Sequence, residues 1–413
     1  MTEKKTGAGA RPQDMRQKNR RMQLQLLIQA EDRTVNELAA QMNLSRTAVQ
    51  NILMGLMEKG IVRAGEKRAS TLAGGKRAVS YAICPDYRYG ISLSLGAEYA
   101  VAELHDFCLS RVDYRIAGVL GSPYEQVIRQ AAALIRQLLE QAGLKKEKLF
   151  GISVAISGTV DSEKGILLDL TGSNTSGKWG KNLPLARDLR AALVFSGPVY
   201  VDNLCSFSGY ACSCREPFVR SRSILYILAH NRGIGAAFVR DGKMSRGLMG
   251  EIGHTTVDVA CTDRCRCGRT GCFEAMLYPS AIRRRVQRAL ESGTPSSLHP
   301  ENLSSIDDLF RQADRGDAAA RQETDRIAGL FASLLCNAQI MMDPQDILFH
   351  DAYGYSCEYF HRRMEEICRE KTDGSFFAPP RIHFIQEDFT ENVRYGAVSY
   401  SRDAYLHHFV QEE

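Results

Sequence analysis

The feature that most constrains this chain is a group of cysteines within residues 251–274. Cys265, Cys267 and Cys272 are separated by short glycine-containing turns, and His254 lies eleven residues before the first of them. Three thiolates and one imidazole complete a closed tetrahedral shell, which suits a structural zinc ion and leaves no position for a catalytic water. Cys261 is an alternative ligand, and a loop of free cysteines is the alternative to a metal site. Because clustered Cys and His residues in an intracellular chain more often indicate a metal than a disulfide, we predict a structural zinc site.

The rest of the composition indicates a soluble protein of more than one domain. The 413 residues allow several cores. No apolar run approaches the roughly 20 residues that a membrane span requires, and the N-terminus lacks the apolar core of a signal peptide. Twelve cysteines without such a signal are typical of the reducing cytoplasm. We therefore expect a cytoplasmic protein that does not associate with a membrane.

Positive charge is concentrated at the N-terminal end. Residues 1–86 contain 15 Lys and Arg against 8 Asp and Glu, a net charge of +7, whereas the remainder has 38 against 40, or −2. A basic segment joined to a nearly neutral body indicates contact with nucleic acid.

The hydrophobic pattern of this basic segment predicts a winged helix-turn-helix over residues 15–86, after a disordered basic arm at 1–14. Thr34 and Glu37 have the spacing of a capping box that begins one helix. Asn43-Leu44-Ser45 then separates it from another, whose inner face is Val49, Ile52, Leu53 and Leu56. Alternating apolar residues on both sides of a Gly-Gly-Lys-Arg segment predict two strands and a wing.

Six residues of this segment are placed to contact duplex DNA. On the second helix of the motif, polar side chains on the outer face can reach base edges or phosphates, and basic residues at the wing can contact phosphates or the minor groove. The predicted DNA-contacting residues are Arg46, Thr47, Gln50, Asn51, Lys76 and Arg77. The alternative is a small helical packing module whose charges are merely solvated. The charge asymmetry favours operator DNA as a partner.

The cysteine region also carries a long motif. Gly253-His254, ten residues, and Cys-x-Cys-Gly-x-x-Gly-Cys-x-Glu resemble the signature of the ROK family (repressors, open reading frames and sugar kinases). The resemblance implies an α/β fold in which the winged helix-turn-helix precedes a two-lobed, actin-like, sugar-kinase-like domain with a structural zinc. Residues 87–205 would form its first lobe, completed by a C-terminal helix at 390–413. Residues 206–389 would form the second lobe, which holds the zinc site.

The same resemblance implies a sugar-binding set of side chains. It places amides and carboxylates toward a hydroxyl-rich ligand, and the residues that match are Asn174, Asn203, Glu251, His254 and Glu274. Trp179, the only tryptophan, either belongs to the same loop as Asn174 or packs in the core.

Positions at which kinases of the family bind ATP or catalyse transfer are altered here. Ser94 and Glu98 replace the Asp and Thr of the first phosphate loop, and a carboxylate there would repel phosphate. Arg232 replaces the Thr of the second loop, and His350-Asp351 replaces a Gly-Gly pair. With Asn203 matched, Leu204 occupies the position of the base, and leucine cannot accept a proton. Asp202 would then point to the opposite face of its strand, unless the register is shifted by one residue.

The resulting hypothesis is a DNA-binding transcriptional regulator, and a repressor in preference to an activator. Within the family, an N-terminal winged helix resembles the arrangement of sugar-responsive transcription factors, whereas kinases generally lack it. We expect a carbohydrate effector, zinc as the cofactor, no catalytic residues, and a homodimer or a dimer of dimers. The alternatives are a sugar kinase with an appended DNA-binding segment, and a domain that binds a protein partner or a non-sugar effector.

Overall fold

The structure is a computed structural model. It describes residues 12–28, 30, 32–67, 78–170, 179–230, 233–303, 305–350 and 357–411. The predicted site residues Lys76, Arg77 and Asn174 lie outside these ranges, as do Arg232 and Asp351.

The N-terminal part consists of three helices and a small antiparallel sheet of order β1-β3-β2. Its elements are α1 (Pro12–Ile28), β1 (Arg33–Thr34), α2 (Val35–Met42), α3 (Arg46–Glu58), β2 (Val62–Lys67) and β3 (Val79–Ile83). Helix α1 begins inside the predicted arm at 1–14, because a proline is well suited to the first turn of a helix. Residues 1–11 of that arm and the predicted wing tip lie outside the described residues.

Local hydrogen bonds set the turn between α2 and α3. The Thr34 amide donates to the Glu37 carboxylate at 2.7 Å, and the Glu37 amide donates to the Thr34 hydroxyl, which completes the predicted capping box. Asn43 ends α2 in the left-handed conformation with a φ of 52°. The Ser45 hydroxyl then caps α3 by accepting from the Ala48 amide at 3.2 Å. These contacts fix the orientation of α3 relative to α2.

The next region forms a five-stranded sheet of order β10-β7-β4-β5-β6. Its elements, with a separate β8–β9 hairpin, are β4 (Tyr89–Leu95), β5 (Tyr99–His105), β6 (Arg111–Gly118), α4 (Tyr124–Gln141), β7 (Leu149–Ile156), β8 (Gly158–Asp161), β9 (Ile166–Leu170), α5 (Leu185–Leu193), β10 (Val199–Asn203) and α6 (Leu204–Ser213). Strands β4, β7 and β10 run parallel, and β5 and β6 continue the sheet antiparallel. Every residue of β7 is buried, as its apolar run predicts.

A second five-stranded sheet, of order β13-β12-β11-β14-β15, follows the same plan. The remaining elements are β11 (Ser223–His230), β12 (Gly233–Arg240), β13 (Lys243–Met244), α7 (Phe273–Met276), α8 (Pro279–Glu291), α9 (Ile306–Asp314), α10 (Ala318–Met342), β14 (Asp346–His350), α11 (Glu358–Thr372), β15 (Ile382–Ile385) and α12 (Phe389–Gln411). Both sheets join three parallel strands to an antiparallel pair. The chain therefore repeats one topology, although its sequence shows no internal repeat.

Helices α6 and α12 lie between the two sheets and hold them together. Helix α12 packs on α6, β4 and β7, and α6 also packs on β11 and β12. The approach of the two helices is very close, since a Cβ at Gly396 would lie 1.8 Å from the Phe207 carbonyl oxygen. Only glycine allows this separation.

The N-terminal part is not isolated from the rest of the molecule. One apolar cluster combines side chains of α1 and α3, the region after β5, and the last turns of α12; its members include Leu24, Leu27, Leu53, Phe107, Phe150, Leu406 and Val410. Lys59 also lies 4.8 Å from the Phe409 ring centre. Helix α12 thus connects the space between the sheets to the helix-turn-helix. Within the described parts of the chain, every helix is too short or too polar to cross a membrane.

Candidate ligand cleft and metal site

The four predicted metal ligands come together in space. One donor atom from each of His254, Cys265, Cys267 and Cys272 lies within 4.8 Å of the others, and Cys261 is not part of this group. The Cys265 Sγ lies 3.4 Å from the His254 Nδ1, and the Cys267 Sγ lies 3.6 Å from the Cys272 Sγ. One nitrogen and three sulfurs at this separation could hold a metal ion.

Tight turns bring the cysteines together. Short bridges pair Arg264 with Thr270 and Thr256 with Cys272, so that the cysteine segment folds back on itself. Gly271 has a φ of +71°, and a Cβ there would lie 2.2 Å from the Asp258 carbonyl oxygen. A glycine is required at this position for both reasons.

The donor chemistry fits a cation. Cys272 is completely buried, and burial, followed by the hydrogen bond to Cys267, raises the pKa of its thiol to about 12. A bound cation would stabilise the thiolate form that burial otherwise opposes. The cluster therefore has both the geometry and the chemistry of a metal site.

His254 links this cluster to a neighbouring cleft. While its Nδ1 faces Cys265, its Nε2 lies 3.5 Å from a carboxylate oxygen of Glu251. Both residues belong to a short helical turn, Met249–His254. A metal-binding histidine commonly contacts a carboxylate through its second nitrogen, which fixes the orientation of the ring. The metal site and Glu251 are therefore coupled through one imidazole.

The cleft lies between the two sheets. Its lining comes from the β8–β9 hairpin, the junction of β10 and α6, the β12–β13 region and the turn that holds Glu251; the polar side chains in it are Thr159, Ser162, Asp202, Asn203, Ser206, Ser245 and Glu251. The Thr159 hydroxyl donates to Glu251 at 2.6 Å, and this bond joins the two sides of the cleft. A polar cleft of this kind suits a ligand with several hydroxyl groups.

Asn203 and Glu251 are the predicted ligand residues that line the cleft. The Asn203 side chain donates to the Gly158 carbonyl at 2.8 Å and accepts from the Cys205 amide, so it also caps α6. Glu274 is buried behind the cleft lining. It pairs with Arg266 at 2.5 Å and accepts from the Ile234 amide at 3.2 Å. Glu274 therefore supports the start of β12. His254 is connected to the cleft through its contact with Glu251.

The expectation that Asp202 points away from Asn203 is wrong, since both side chains line the cleft. Strand alternation fails here because β10 ends at Asn203, which is already the N-cap of α6. Burial raises the pKa of Asp202, against the opposing effects of the Ser206 hydroxyl and the Asn203 amide. Asp202 therefore places a carboxyl group at the cleft, and the leucine at position 204 no longer shows that the site lacks one.

Arg246, which contacts the cleft residue Ser162, is a residue that the sequence did not indicate. The Arg246 guanidinium donates to the Ser162 hydroxyl at 2.5 Å and to the Tyr400 hydroxyl at 3.2 Å. It thereby connects the end of β13 to the opposite side of the cleft and to α12. No spacing or motif in the sequence distinguishes this arginine from the others. Trp179 packs in the core, where its ring meets Tyr124 edge-on and its nitrogen donates to the Ser122 carbonyl.

The altered nucleotide positions differ in their surroundings. Glu98 is exposed in the turn between β4 and β5, and Ser94 lies in β4. His350 is almost fully buried at the end of β14, where its Nδ1 lies 2.6 Å from the Tyr226 hydroxyl and its Nε2 lies 2.8 Å from the Glu387 carbonyl. An imidazole therefore fills the end of β14, the position that the family resemblance assigns to a glycine pair.

The outer face of α3 carries the predicted DNA-contacting residues. Arg46, Thr47, Gln50 and Asn51 are all exposed, and Met54 continues the same face with 53% exposure. The opposite face, Val49, Leu53 and Leu56, is buried against the neighbouring helices. Polar side chains are thus presented at the N-terminal end of an exposed helix, as base contacts in a groove require.

Comparisons with known proteins agree with this architecture. The ROK family model matches residues 98–382. The chain is 23% identical over 365 residues to the xylose repressor of Caldicellulosiruptor bescii, covering 87% of this chain and 89% of the repressor. In fold, it resembles a ROK family transcriptional regulator described as a homolog of E. coli MLC, with a TM-score of 0.74, 20% identity, and coverage of 96% and 98%.

A kinase of the family also matches a large part of this fold. The ROK hexokinase of Thermus thermophilus matches with a TM-score of 0.60 and 21% identity, covering 75% of this chain and 96% of the hexokinase. Because the family model spans well over half of the sequence, this chain belongs to the ROK family.

Proposed function

We propose that the chain is a sequence-specific DNA-binding transcriptional regulator, a repressor that responds to a carbohydrate. The observation that carries this proposal is the exposed polar face of α3, held by capped turns in a basic N-terminal segment. The similarity to a xylose repressor over 89% of its length supports it. Residues 15–86 would bind operator DNA, with Lys76 and Arg77 on phosphates. Residues 87–205 with 390–413, and residues 206–389, would form the two lobes that enclose the effector.

The metal in this account is zinc, with a structural role. One imidazole and three thiolates form the closed set that zinc prefers, and the set has no open position for a reacting water. The ion would hold the turn that presents Glu251 to the cleft. Asn174, Asn203, Glu251, His254 and Glu274 make up the proposed ligand-binding region, to which we add Asp202 and Thr159. The twelve cysteines, none of which forms a disulfide, fit a reducing cytoplasm.

A physical route connects the cleft to the DNA-binding part. Arg246 contacts Ser162 and Tyr400, and Tyr400 belongs to α12, whose last turns share a core with α1 and α3. A ligand that binds one arrangement of the two lobes more tightly than another would increase the population of the arrangement that it prefers. In a dimer, the two DNA-binding parts must match half-sites about one helical turn apart, so a small shift of α12 changes the fit.

We predict that Gln50→Ala or Asn51→Ala reduces sequence preference without affecting the fold. Each lost base contact should cost about 1–3 kcal/mol against the preferred duplex and little against random DNA. Lys76→Ala and Arg77→Ala should instead weaken binding to all sequences similarly and reduce the dependence on salt. Fluorescence anisotropy with specific and scrambled duplexes measures both effects.

The control is Gln141→Ala, which makes the same chemical change at an exposed residue that ends α4. It should bind both duplexes like the wild type. If Gln50→Ala and Asn51→Ala behave like this control on the preferred duplex, the helix that contacts the bases is not α3.

A sugar kinase is the second candidate, and the position of Asp202 in the cleft favours it. A carboxylate there could act as a general base, which contributes roughly 10²–10⁴-fold to a reaction rate. The phosphate-binding positions argue against transfer, since Glu98 is acidic and His350 fills a glycine position. Without residues that hold the phosphates, the protein would lack the larger contribution to the reaction rate that comes from positioning the reactants.

We predict that the chain binds a carbohydrate without consuming ATP. Calorimetry with a panel of sugars and sugar phosphates should identify a ligand whose affinity falls about tenfold or more in Glu251→Gln, because one charged carboxylate acceptor becomes an amide donor. Ser110→Ala, far from the cleft in the turn before β6, is the control. Consumption of ATP that depends on this sugar, yields the sugar phosphate and disappears in Asp202→Asn would establish the kinase instead.

A further inference from the structure

Strand β6 is an edge strand with an unusual pattern of exposed side chains. It is the last strand of the first five-stranded sheet and pairs only with β5 among the described residues. Val112, Tyr114 and Ile116 point to one face and are 49%, 51% and 55% exposed. Tyr99 on β5 and Leu120 after β6 add further exposed apolar surface. A long edge strand with apolar side chains is a template for pairing with another strand.

The backbone at the centre of β6 faces outward. The Tyr114 amide donates to the Asp113 carboxylate of its own strand at 2.8 Å, and its carbonyl accepts from the Arg115 guanidinium at 2.6 Å. Both groups of one residue point to the same side of a strand. The two charged side chains therefore cover the open edge where a neighbouring strand would otherwise supply the hydrogen bonds.

The order of charges makes β6 complementary to itself. In an antiparallel pair of two copies centred on Tyr114, Asp113 of each strand lies opposite Arg115 of the other. Val112 then lies opposite Ile116, which continues the apolar stripe across both strands. A register centred on Asp113 would place Arg111 opposite Arg115, and like charges oppose each other there. Only the first of these two registers satisfies the charges and the apolar face together.

We infer that β6 pairs with β6 of a second copy about a two-fold axis at Tyr114, which joins two five-stranded sheets into one of ten strands. The two Tyr114 residues exchange both backbone hydrogen bonds, as directly opposed residues in a narrow antiparallel pair do. The two Asp113–Arg115 pairs form across the axis and replace the pairs within each strand. This is an isologous contact, in which the same surface serves both partners.

The test is the mass of the full-length chain in solution without DNA, measured by sedimentation equilibrium on wild type, Asp113→Arg and Arg115→Asp. Each single variant places like charges at two positions of the interface, and we expect its dissociation constant to rise at least about tenfold. An equimolar mixture of the two variants should associate like the wild type, because every cross-strand pair in the hetero-dimer then joins Asp to Arg.

Both variants lose the Asp113–Arg115 pair within their own strand. Recovery of association in the mixture would therefore show that these charges act between two copies and not within one strand. Tyr114→Cys tests the register, because in the inferred pair residue 114 of one copy lies opposite residue 114 of the other. Their Cα atoms would be about 5.5 Å apart, a distance that suits a disulfide. Val112→Cys lies opposite Ile116 and should not crosslink with itself. A monomeric wild type, single variants with unchanged mass, or a mixture that does not recover would each overturn the inference. Unchanged mass in the single variants of an associating wild type would overturn this interface alone, because the proposed regulatory function needs a dimer but not this contact.

Discussion

Cys272→Ser is expected to release the metal and unfold much of the second lobe. Cys272 is completely buried, and its position is set by a bridge to Thr256 and by the fold of the cysteine turns. Binding of structural zinc contributes about 10–16 kcal/mol in small peptides, where it is the folding energy. In this larger domain we expect a loss of at least roughly 3–5 kcal/mol in the free energy of unfolding.

The same variant should lose the cleft ligand, because His254 connects the metal cluster to Glu251. Elemental analysis of protein purified without added metal, combined with thermal unfolding, provides the measurement. Cys261→Ser is the matched control, since it makes the same change in the same loop at a residue outside the cluster. It should retain one zinc per chain. Wild-type protein without stoichiometric zinc, or equal loss of zinc in both variants, would refute the assignment.

Gly396→Ala should destabilise the protein by about 3–5 kcal/mol, more than an ordinary overpacked position. The added Cβ would lie 1.8 Å from the Phe207 carbonyl oxygen and 3.1 Å from the Ala211 nitrogen. These are backbone atoms of α6, so no side chain can move aside to relieve the contact. Helix α12 must separate from α6, and the helix-turn-helix that packs on its last turns should shift with it.

Gly329→Ala is the control for this prediction. Gly329 is also within a helix, α10, but nothing lies within 4 Å of its added Cβ. Alanine is a better helix former than glycine, so this variant should be unchanged or up to about 1 kcal/mol more stable. Chemical denaturation of both variants measures the difference. Similar stability for the two would show that α6 and α12 are not closely packed in solution.

The sequence was most informative where local rules decide the structure. The Thr34–Glu37 capping box and the apolar face of α3 at Val49, Leu53 and Leu56 follow from spacing alone, and both are present. The cluster of four possible metal ligands could also be predicted, because four unusual donors lie within one short segment. These signals need no knowledge of distant contacts.

Long-range contacts were not predictable in this way. Asp202 lines the cleft because β10 passes directly into α6, and periodicity could not locate that junction. Arg246 meets Ser162 and Tyr400, which are 84 and 154 residues away in the sequence. The core shared by the N-terminal helices and α12 joins the two ends of the chain. For this reason, a deletion of residues 1–86 would expose Phe107 and Phe150, and single substitutions on α3 are the cleaner test.

The most direct test of the central claim is selection of duplexes by the full-length chain from a randomised DNA library, in the presence and absence of the sugar identified by calorimetry. The account predicts enrichment of a two-fold symmetric sequence, and binding to it should weaken steeply with salt. Binding should be lost when Arg46, Thr47, Gln50 and Asn51 are all replaced by alanine. It should also change when the sugar is added. Recovery of no preferred sequence by folded, zinc-loaded wild-type protein would contradict it.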